Sequence, residues 1–277
     1  MPTDTSLEPD RVDVLGVGIS AVSLAGATDR IMQWVHDREH HYVCVTNVHT
    51  VMECQRDPEL LRIHNASGLT TPDGMPLVWC AKRAGAAGVT RVYGPDLMLA
   101  LSKPLAAASK SVFLYGTTPR TLELLVARLE AGFPGLRVAG TFAPPFRPLT
   151  PAEDADVVKL INESGADVVW VGLGAVKQEY WMAQHLELLL PPVLIGVGAA
   201  FDFHAGVVKQ APLWMQRHGL EWGYRLCREP RRLWRRYLRT NPAFVLGIVR
   251  RPPRLQISGS SASNARSSAE ALPATSR

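Results

Sequence analysis

Short runs rich in Val, Ile and aromatic residues alternate with helix-length segments along most of the chain. Strand-like runs fall at 12–19, 42–46, 111–115, 136–142, 167–171 and 193–197, each followed by a turn or a helical pattern. Alternation of this kind predicts an α/β fold, a mostly parallel Rossmann-like sheet with helices on both faces. Val168-Val169-Trp170-Val171 and Val193-Leu194-Ile195-Gly196-Val197 are nearly uninterrupted apolar runs, as strands covered on both faces should be, and are assigned to the sheet centre. Helical spacing runs through 50–63, 75–84, 95–107, 118–132, 151–163 and 176–190. The segment 118–132 carries both boundary signals: Thr118-Pro119 at its start, Leu122, Leu125, Val126 and Leu129 on one face, and a glycine at Gly132. No internal repeat interrupts the pattern.

Composition adds an asymmetry that the hydropathy pattern does not show. The chain has 277 residues, 47% hydrophobic and 20% charged, enough for one sizeable core with a small appendage. Residues 205–277 hold fourteen Lys/Arg against three Glu, net +11, so a whole-chain charge of +5 leaves the remainder at −6. The expected organisation is a flexible N-terminus over 1–10, an α/β catalytic domain over 11–206, a basic amphipathic helical appendage over 207–254 and a disordered Ser/Ala/Asn-rich tail over 255–277. Cys44, Cys54, Cys80 and Cys227 form no C-x-x-C pair and stand in apolar-looking surroundings, which suggests neither disulfides nor a zinc site and fits a reducing cytoplasm. No apolar run approaches the roughly 18–20 residues that span a bilayer. The polar start of the chain is unlike a signal peptide. Any membrane association is therefore expected to be peripheral.

The basic segment is the most sharply patterned feature. Glu229-Pro230 is expected to end one helix and start another. At about 100° per residue, Arg231, Arg232, Arg235, Arg236 and Arg239 fall on one arc while Leu233, Trp234, Tyr237 and Leu238 fill the opposite one. Arginines with no interleaved Glu repel one another and contribute nothing through i,i+4 pairs, so the face is read as meeting an anionic partner. Arginine with Trp and Tyr suits an interfacial helix on anionic lipid, each basic residue adding about 1 kcal/mol near the surface. No nucleic-acid reader motif accompanies it. Trp214, Trp222, Tyr224, Phe244 and the apolar run 243–249 supply further anchors.

Several turns offer chemistry. Gly16-Val17-Gly18-Ile19-Ser20-Ala21 fits a relaxed dinucleotide fingerprint with Asp37 as ribose ligand, and the same glycines equally serve a tight turn. Gly172-Leu173-Gly174, Gly196-Val197-Gly198 and Tyr115-Gly116-Thr117-Thr118 end predicted strands, where backbone N–H groups can face phosphate. Thr70-Thr71-Pro72-Asp73-Gly74 puts a carboxylate in a turn ahead of a helix, with helix capping as its alternative role. Asn47 ends the strand 42–46, so Asn47 and Asp73 can converge on one cleft, where Asp73 could act as general base. Asp202-Phe203-His204 lacks the second carboxylate of a D-x-D metal pair; Asp202 can reach a ligand at the preceding strand end, and His204 reads as a local hydrogen-bonding residue. No metal and no cofactor is expected.

Together, Cys44-Val45-Thr46-Asn47, Pro72-Asp73-Gly74, Arg91-Val92-Tyr93-Gly94-Pro95-Asp96, Gly172-Leu173-Gly174 with Lys177-Gln178-Glu179, Gly196 to Phe203, Gly219-Leu220-Glu221-Trp222 and Glu229-Pro230-Arg231-Arg232 follow the order seen in the WecG/TagA/CpsF glycosyltransferases. The chain resembles that family over about residues 12–240. The resemblance implies inverting, metal-independent transfer of a hexose (N-acetylmannosamine, a uronic acid or similar) from a UDP-sugar to a polyprenyl-diphosphate-linked sugar at the cytoplasmic membrane face, in cell-surface polysaccharide or teichoic-acid-type synthesis. It puts the catalytic base on Asp73, substrate-binding polar residues on Asn47, Arg91 and Gln178, a donor-side acid on Asp202, and diphosphate-closing arginines on Arg225, Arg232 and Arg235. One position departs: Val45 stands where the family carries a threonine, and Thr46 is its neighbour on the opposite face of the strand. An NAD(P)-dependent enzyme built on Gly16/Gly18 and a non-enzymatic binder of anionic lipid or nucleic acid stay open as alternatives, as does a homo-oligomer.

Overall fold

The computed structural model describes residues 8–257 and, within them, all side chains except those of Arg232 and Arg236. The flexible N-terminus expected over 1–10 and the disordered tail expected over 255–277 lie largely outside the described residues. The chain begins with an antiparallel hairpin, β1 (Arg11–Val14) and β2 (Val17–Ser20), paired Val14 to Val17 across a two-residue turn. Leu15 and Gly16 both have positive φ, 55° and 89°, as such a tight turn requires. Next come α1 (Leu24–Asp37), capped by the Ser23 hydroxyl, and β3 (His41–Thr46). The pair α2 (Val48–Cys54) and α3 (Pro58–Ala66) starts at the caps Asn47 and Asp57. Then β4 (Leu69–Pro72), α4 (Met75–Arg83), α5 (Gly94–Ala107), β5 (Ser111–Gly116), α6 (Pro119–Gly132) and β6 (Arg137–Phe142) follow. A full capping box between Thr150 and Glu153 opens α7 (Pro151–Ser164), which leads to β7 (Val168–Gly172), α8 (Lys177–His185), β8 (Val193–Gly196) and α9 (Ala200–His204). The C-terminal helices are α10 (Leu213–Arg217), α11 (Glu221–Arg228) and α12 (Pro230–Arg250), before the short strand β9 (Arg254–Gln256).

Six parallel strands form the main sheet in the order β4-β3-β8-β7-β5-β6, with β7 and β8 at its centre. Alternate strand residues point to opposite faces. Val43, Val45, Val112, Leu114, Trp170 and Ile195 pack under α1, α5 and α6. Tyr42, Cys44, Phe113, Tyr115, Val171 and Leu194 pack against α7 and α8. The chain turns outward from β5 to β6 but in the other direction from β7 to β8, so neighbouring strands β5 and β7 bracket a switch point of the kind where α/β sheets bind ligands. Backbones approach closely there: a Cβ on Gly116 would lie 2.5 Å from the Gly172 carbonyl oxygen, and one on Gly172 would lie 2.7 Å from the Phe201 ring. Only glycine fits both positions.

Several expectations are corrected. The run 12–19 is not one strand of the parallel sheet but the β1–β2 hairpin, in a separate three-stranded sheet β2-β1-β9. Gly16 therefore turns into an antiparallel strand instead of a helix N-terminus, the Gly18 N–H is taken by Asn65 Oδ1 at 2.9 Å, and Asp37 lies at the C-terminal end of α1 beside His36. No phosphate cradle forms from these glycines, and the dinucleotide reading falls with it. The helical pattern 50–63 is broken at Gln55-Arg56-Asp57 into α2 and α3 because Asp57 caps a new start at Pro58. Residues 69–72 form an edge strand, not only a turn. The chain beyond 254 continues into β9, held on β1. Cys44, Cys54 and Cys80 are buried, whereas Cys227 is exposed.

Candidate active site

Asp73 and Asn47 come together because they end adjacent parallel strands. Thr46 pairs with Pro72 in the β3–β4 register, so the next residue of each strand, Asn47 and Asp73, emerges at the same sheet end. The Asp73 N–H donates to the Thr46 carbonyl at 2.9 Å, closing the turn. Asn47 is held by its own helix: its Oδ1 accepts from the N–H groups of His49 (3.0 Å) and Thr50 (3.3 Å) as the α2 cap. That fixes its amide orientation and aims Nδ2 at Asp73 Oδ2, 3.4 Å away. Thr46 itself is buried, its hydroxyl donating to the Cys44 carbonyl at 3.3 Å, and takes no part in the cluster.

Arg91 crosses to the same point from the segment before α5. Its Nε donates to the Asp73 carbonyl at 2.5 Å, one Nη donates to Gln216 Oε1 at 3.0 Å, and the other donates to Glu221 Oε2 at 2.6 Å. That second Nη stands 3.8 Å from Asp73 Oδ1. The guanidinium lies over the Tyr93 ring, 3.9 Å from its centroid, and the Tyr93 hydroxyl donates to Glu221 Oε1 at 3.2 Å. Arg225, one turn after Glu221 on α11, pairs with Glu221 Oε1 at 3.0 Å and faces the Phe203 ring at 5.7 Å. The Asp73 side chain is thus 17% exposed, with Asn47, Arg91 and the α11 residues packed around it. Burial pushes its carboxyl up to about 6; Arg91 and Arg225 oppose the shift and Glu221 adds to it, while the Asn47 hydrogen bond opposes it. A carboxyl so placed is ionised at neutral pH yet basic enough to take a proton.

The other predicted residues are arranged around the switch point. Gln178 is buried; its Oε1 accepts from the Gly198 N–H at 3.0 Å and its Nε2 donates to Glu179 Oε1 at 3.1 Å, so it braces the turn after β8. Glu179 is wholly buried, which pushes its carboxyl up to about 7. Asp202, on α9, accepts at 3.1 Å from the hydroxyl of Thr117, which follows β5 with φ of 51°. His204 Nε2 lies 2.9 Å from the Pro95 carbonyl, a local contact as expected. Arg225 is inside the cluster. Arg235 is not: it lies exposed on α12 with its guanidinium 5.2 Å from the Trp234 ring. Arg232 lies outside the described side chains. Glu221, Tyr93 and Gln216 complete the cluster; Glu221 and Tyr93 lie within the sequence blocks that carry the family resemblance, whereas no local signal marks Gln216. A groove of about 690 Å³ between α6 and the edge strand β6 lies toward the other sheet edge and contains none of these residues.

A partly exposed carboxyl with a raised proton affinity, held by an amide and flanked by two arginines at one end of the sheet, is an arrangement able to take a proton and to hold an anionic group. The chain belongs to the glycosyl transferase WecG/TagA/CpsF family, whose model matches residues 12–257, and it is a glycosyltransferase. It is 29% identical over 209 residues, 76% of this chain and 79% of the relative, to a Bacillus spizizenii protein named N-acetylglucosaminyldiphosphoundecaprenol N-acetyl-beta-D-mannosaminyltransferase. A Bacillus subtilis protein of the same name is 29% identical over 195 residues, 70% of this chain and 73% of that protein.

Proposed function

We propose that this enzyme transfers an N-acetylmannosaminyl or related hexosyl group from a UDP-sugar to a polyprenyl-diphosphate-linked sugar, with inversion and without a metal ion. The observation that carries the reading is the Asp73 carboxyl, partly exposed beside Asn47, Arg91 and Arg225 and raised to about 6 by burial. In one displacement, an acceptor hydroxyl attacks the anomeric carbon, Asp73 takes the hydroxyl proton, a new C–O bond forms, and the bond to the nucleoside diphosphate breaks. A single displacement inverts the centre. The departing diphosphate carries the growing negative charge, which the Arg225 and Arg91 forks and the N–H groups of the turns after β5, β7 and β8 are suited to meet. Gln178 braces the last of these turns, and Asp202 with Thr117 lines the donor side. The names of the Bacillus relatives support the sugar and acceptor classes.

Such an acceptor is confined to a bilayer, and the C-terminal helices carry a surface suited to one. Leu213, Trp214, Trp222, Trp234 and Leu238 are exposed alongside Arg231, Arg235 and Arg239. Among the described residues no helix is long and apolar enough to cross a membrane. The reading is therefore peripheral binding to the anionic inner face of the cell membrane. The test is transfer of radiolabelled sugar from UDP-N-acetylmannosamine and other UDP-sugars to a short polyprenyl-diphosphate-N-acetylglucosamine, with and without EDTA. Transfer is expected to persist in EDTA and to fall about 10²–10⁴-fold in kcat in Asp73→Asn with the fold intact. Full activity in that variant removes Asp73 as the base, and loss in EDTA removes the metal-independent mechanism.

A further inference from the structure

Glu221 belongs to α11, 130 residues from Arg91 in sequence, yet its carboxylate is the hub of the charge cluster. One oxygen takes the Arg91 Nη at 2.6 Å; the other takes Arg225 at 3.0 Å and the Tyr93 hydroxyl at 3.2 Å. The same Arg91 Nη is only 3.8 Å from Asp73 Oδ1. Two carboxylates therefore compete for one guanidinium, and Glu221 holds it by the shorter contact. Were Arg91 to close on Asp73, the carboxylate would be a good ion-pair partner and a poor base, because an opposite charge in direct contact favours its ionised form. Arg91 is also anchored through its Nε to the Asp73 carbonyl, so a small rotation about that anchor suffices to bring the Nη to the side chain.

We propose that Glu221, presented by α11, is a positioning residue that keeps Arg91 off the Asp73 carboxylate, so that Asp73 stays competent as a base. The inference rests on Asp73 being the base. The charged and titratable groups facing Asp73 are Arg91 from the segment before α5, Tyr93 beside it, and Glu221 and Arg225 from α11; Asn47 adds a neutral hydrogen bond. Removing the Glu221 charge takes away a neighbour that disfavours the Asp73 anion and frees Arg91 to favour it, so both changes lower the pH at which Asp73 loses its proton.

The experiment is the pH profile of kcat/KM and of kcat for sugar transfer in the full-length parent, Glu221→Gln and Glu221→Asp. The parent profile is expected to rise with pH through about 6. In Glu221→Gln the acid limb moves to lower pH by about 0.5–1 unit and the plateau of kcat falls about two- to threefold, as a slightly weaker base requires. Glu221→Asp keeps the charge and restores the limb to near the parent position, which undocking of the helices would not do. Equal limbs in all three proteins, or an equal displacement in Gln and Asp variants, overturn the proposal. Asp73→Asn separates the two ideas. Full activity there removes the base assignment and this inference together, whereas loss of activity there with an unmoved limb in Glu221→Gln removes this inference alone.

Discussion

The six-stranded sheet and the three C-terminal helices serve the same cluster by different means. The sheet places Asp73 and Asn47 through register: two neighbouring parallel strands end at matched positions, and backbone hydrogen bonds hold the turn. The helices place Glu221 and Arg225 through docking, and the docking is uneven along α12. Its first turns expose Trp234 and Leu238 while burying Leu233. Its later turns bury Phe244 among Val12, Val14, Ile19, Val51 and Leu77, and Leu15 closes on Gly247, where a Cβ would come within 3.0 Å of Leu15 Cδ1. Beyond it, β9 completes the sheet of the N-terminal hairpin. The C-terminal region is thus clamped at its far end and open to solvent near the site. The hairpin whose glycines resembled a nucleotide loop serves as the seat of that clamp.

The largest effect that tests this division falls on the clamp. Phe244→Ala should cost about 3–5 kcal/mol of stability in denaturant titrations, as large-to-small changes in a packed core do. Val249→Ala, on the exposed side of the same helix, should stay within about 0.5 kcal/mol. Comparable losses in both would mean that α12 is not seated as described.

A smaller effect separates function from stability at the sheet end. The folded Asp73 carboxyl holds its proton up to about 6 against an ordinary 3.8, so protonation stabilises the folded chain, and that contribution is lost as pH rises from 3.8 through about 6. Asp73→Asn should therefore melt higher than the parent at about pH 8 and match it below about pH 4, while losing transfer. A variant less stable than the parent at the higher pH would contradict the burial-raised carboxyl. Smallest is the expected effect at the open surface. Leu238→Ala should weaken binding to vesicles containing anionic lipid by less than about tenfold, since one partly inserted side chain contributes on the order of 1 kcal/mol. Transfer to a short, water-soluble acceptor should not change.

The strands at 42–46, 111–115, 136–142, 167–171 and 193–197 were legible because apolar runs and the turns after them are local signals, and the helices at 75–84, 95–107 and 118–132 for the same reason. The edge strand β4 was not, since Leu69-Thr70-Thr71-Pro72 is short, half polar and ends in proline, and only its pairing with β3 makes it a strand. The run 12–19 misled because Val and Ile suit an antiparallel hairpin as well as a buried parallel strand. For the site, Asn47 was legible as a strand end and Asp73 as a carboxylate in a turn ahead of a helix, which let the two be expected in one place, while the β3–β4 register that joins them was not legible.

Sequence alone therefore determined the α/β alternation, the polar strand end at Asn47, the turn carboxylate Asp73 and the basic C-terminal segment, all features carried by neighbours within a few residues. Tertiary structure alone decided which arginines join the Asp73 cluster. Arg225 turns inward and Arg235 outward, although both belong to the same basic region. The reason is that an arginine's side is chosen by the carboxylates and rings the fold brings to it, and Glu221, Arg91 and Tyr93 meet only when α11 docks against the end of the sheet.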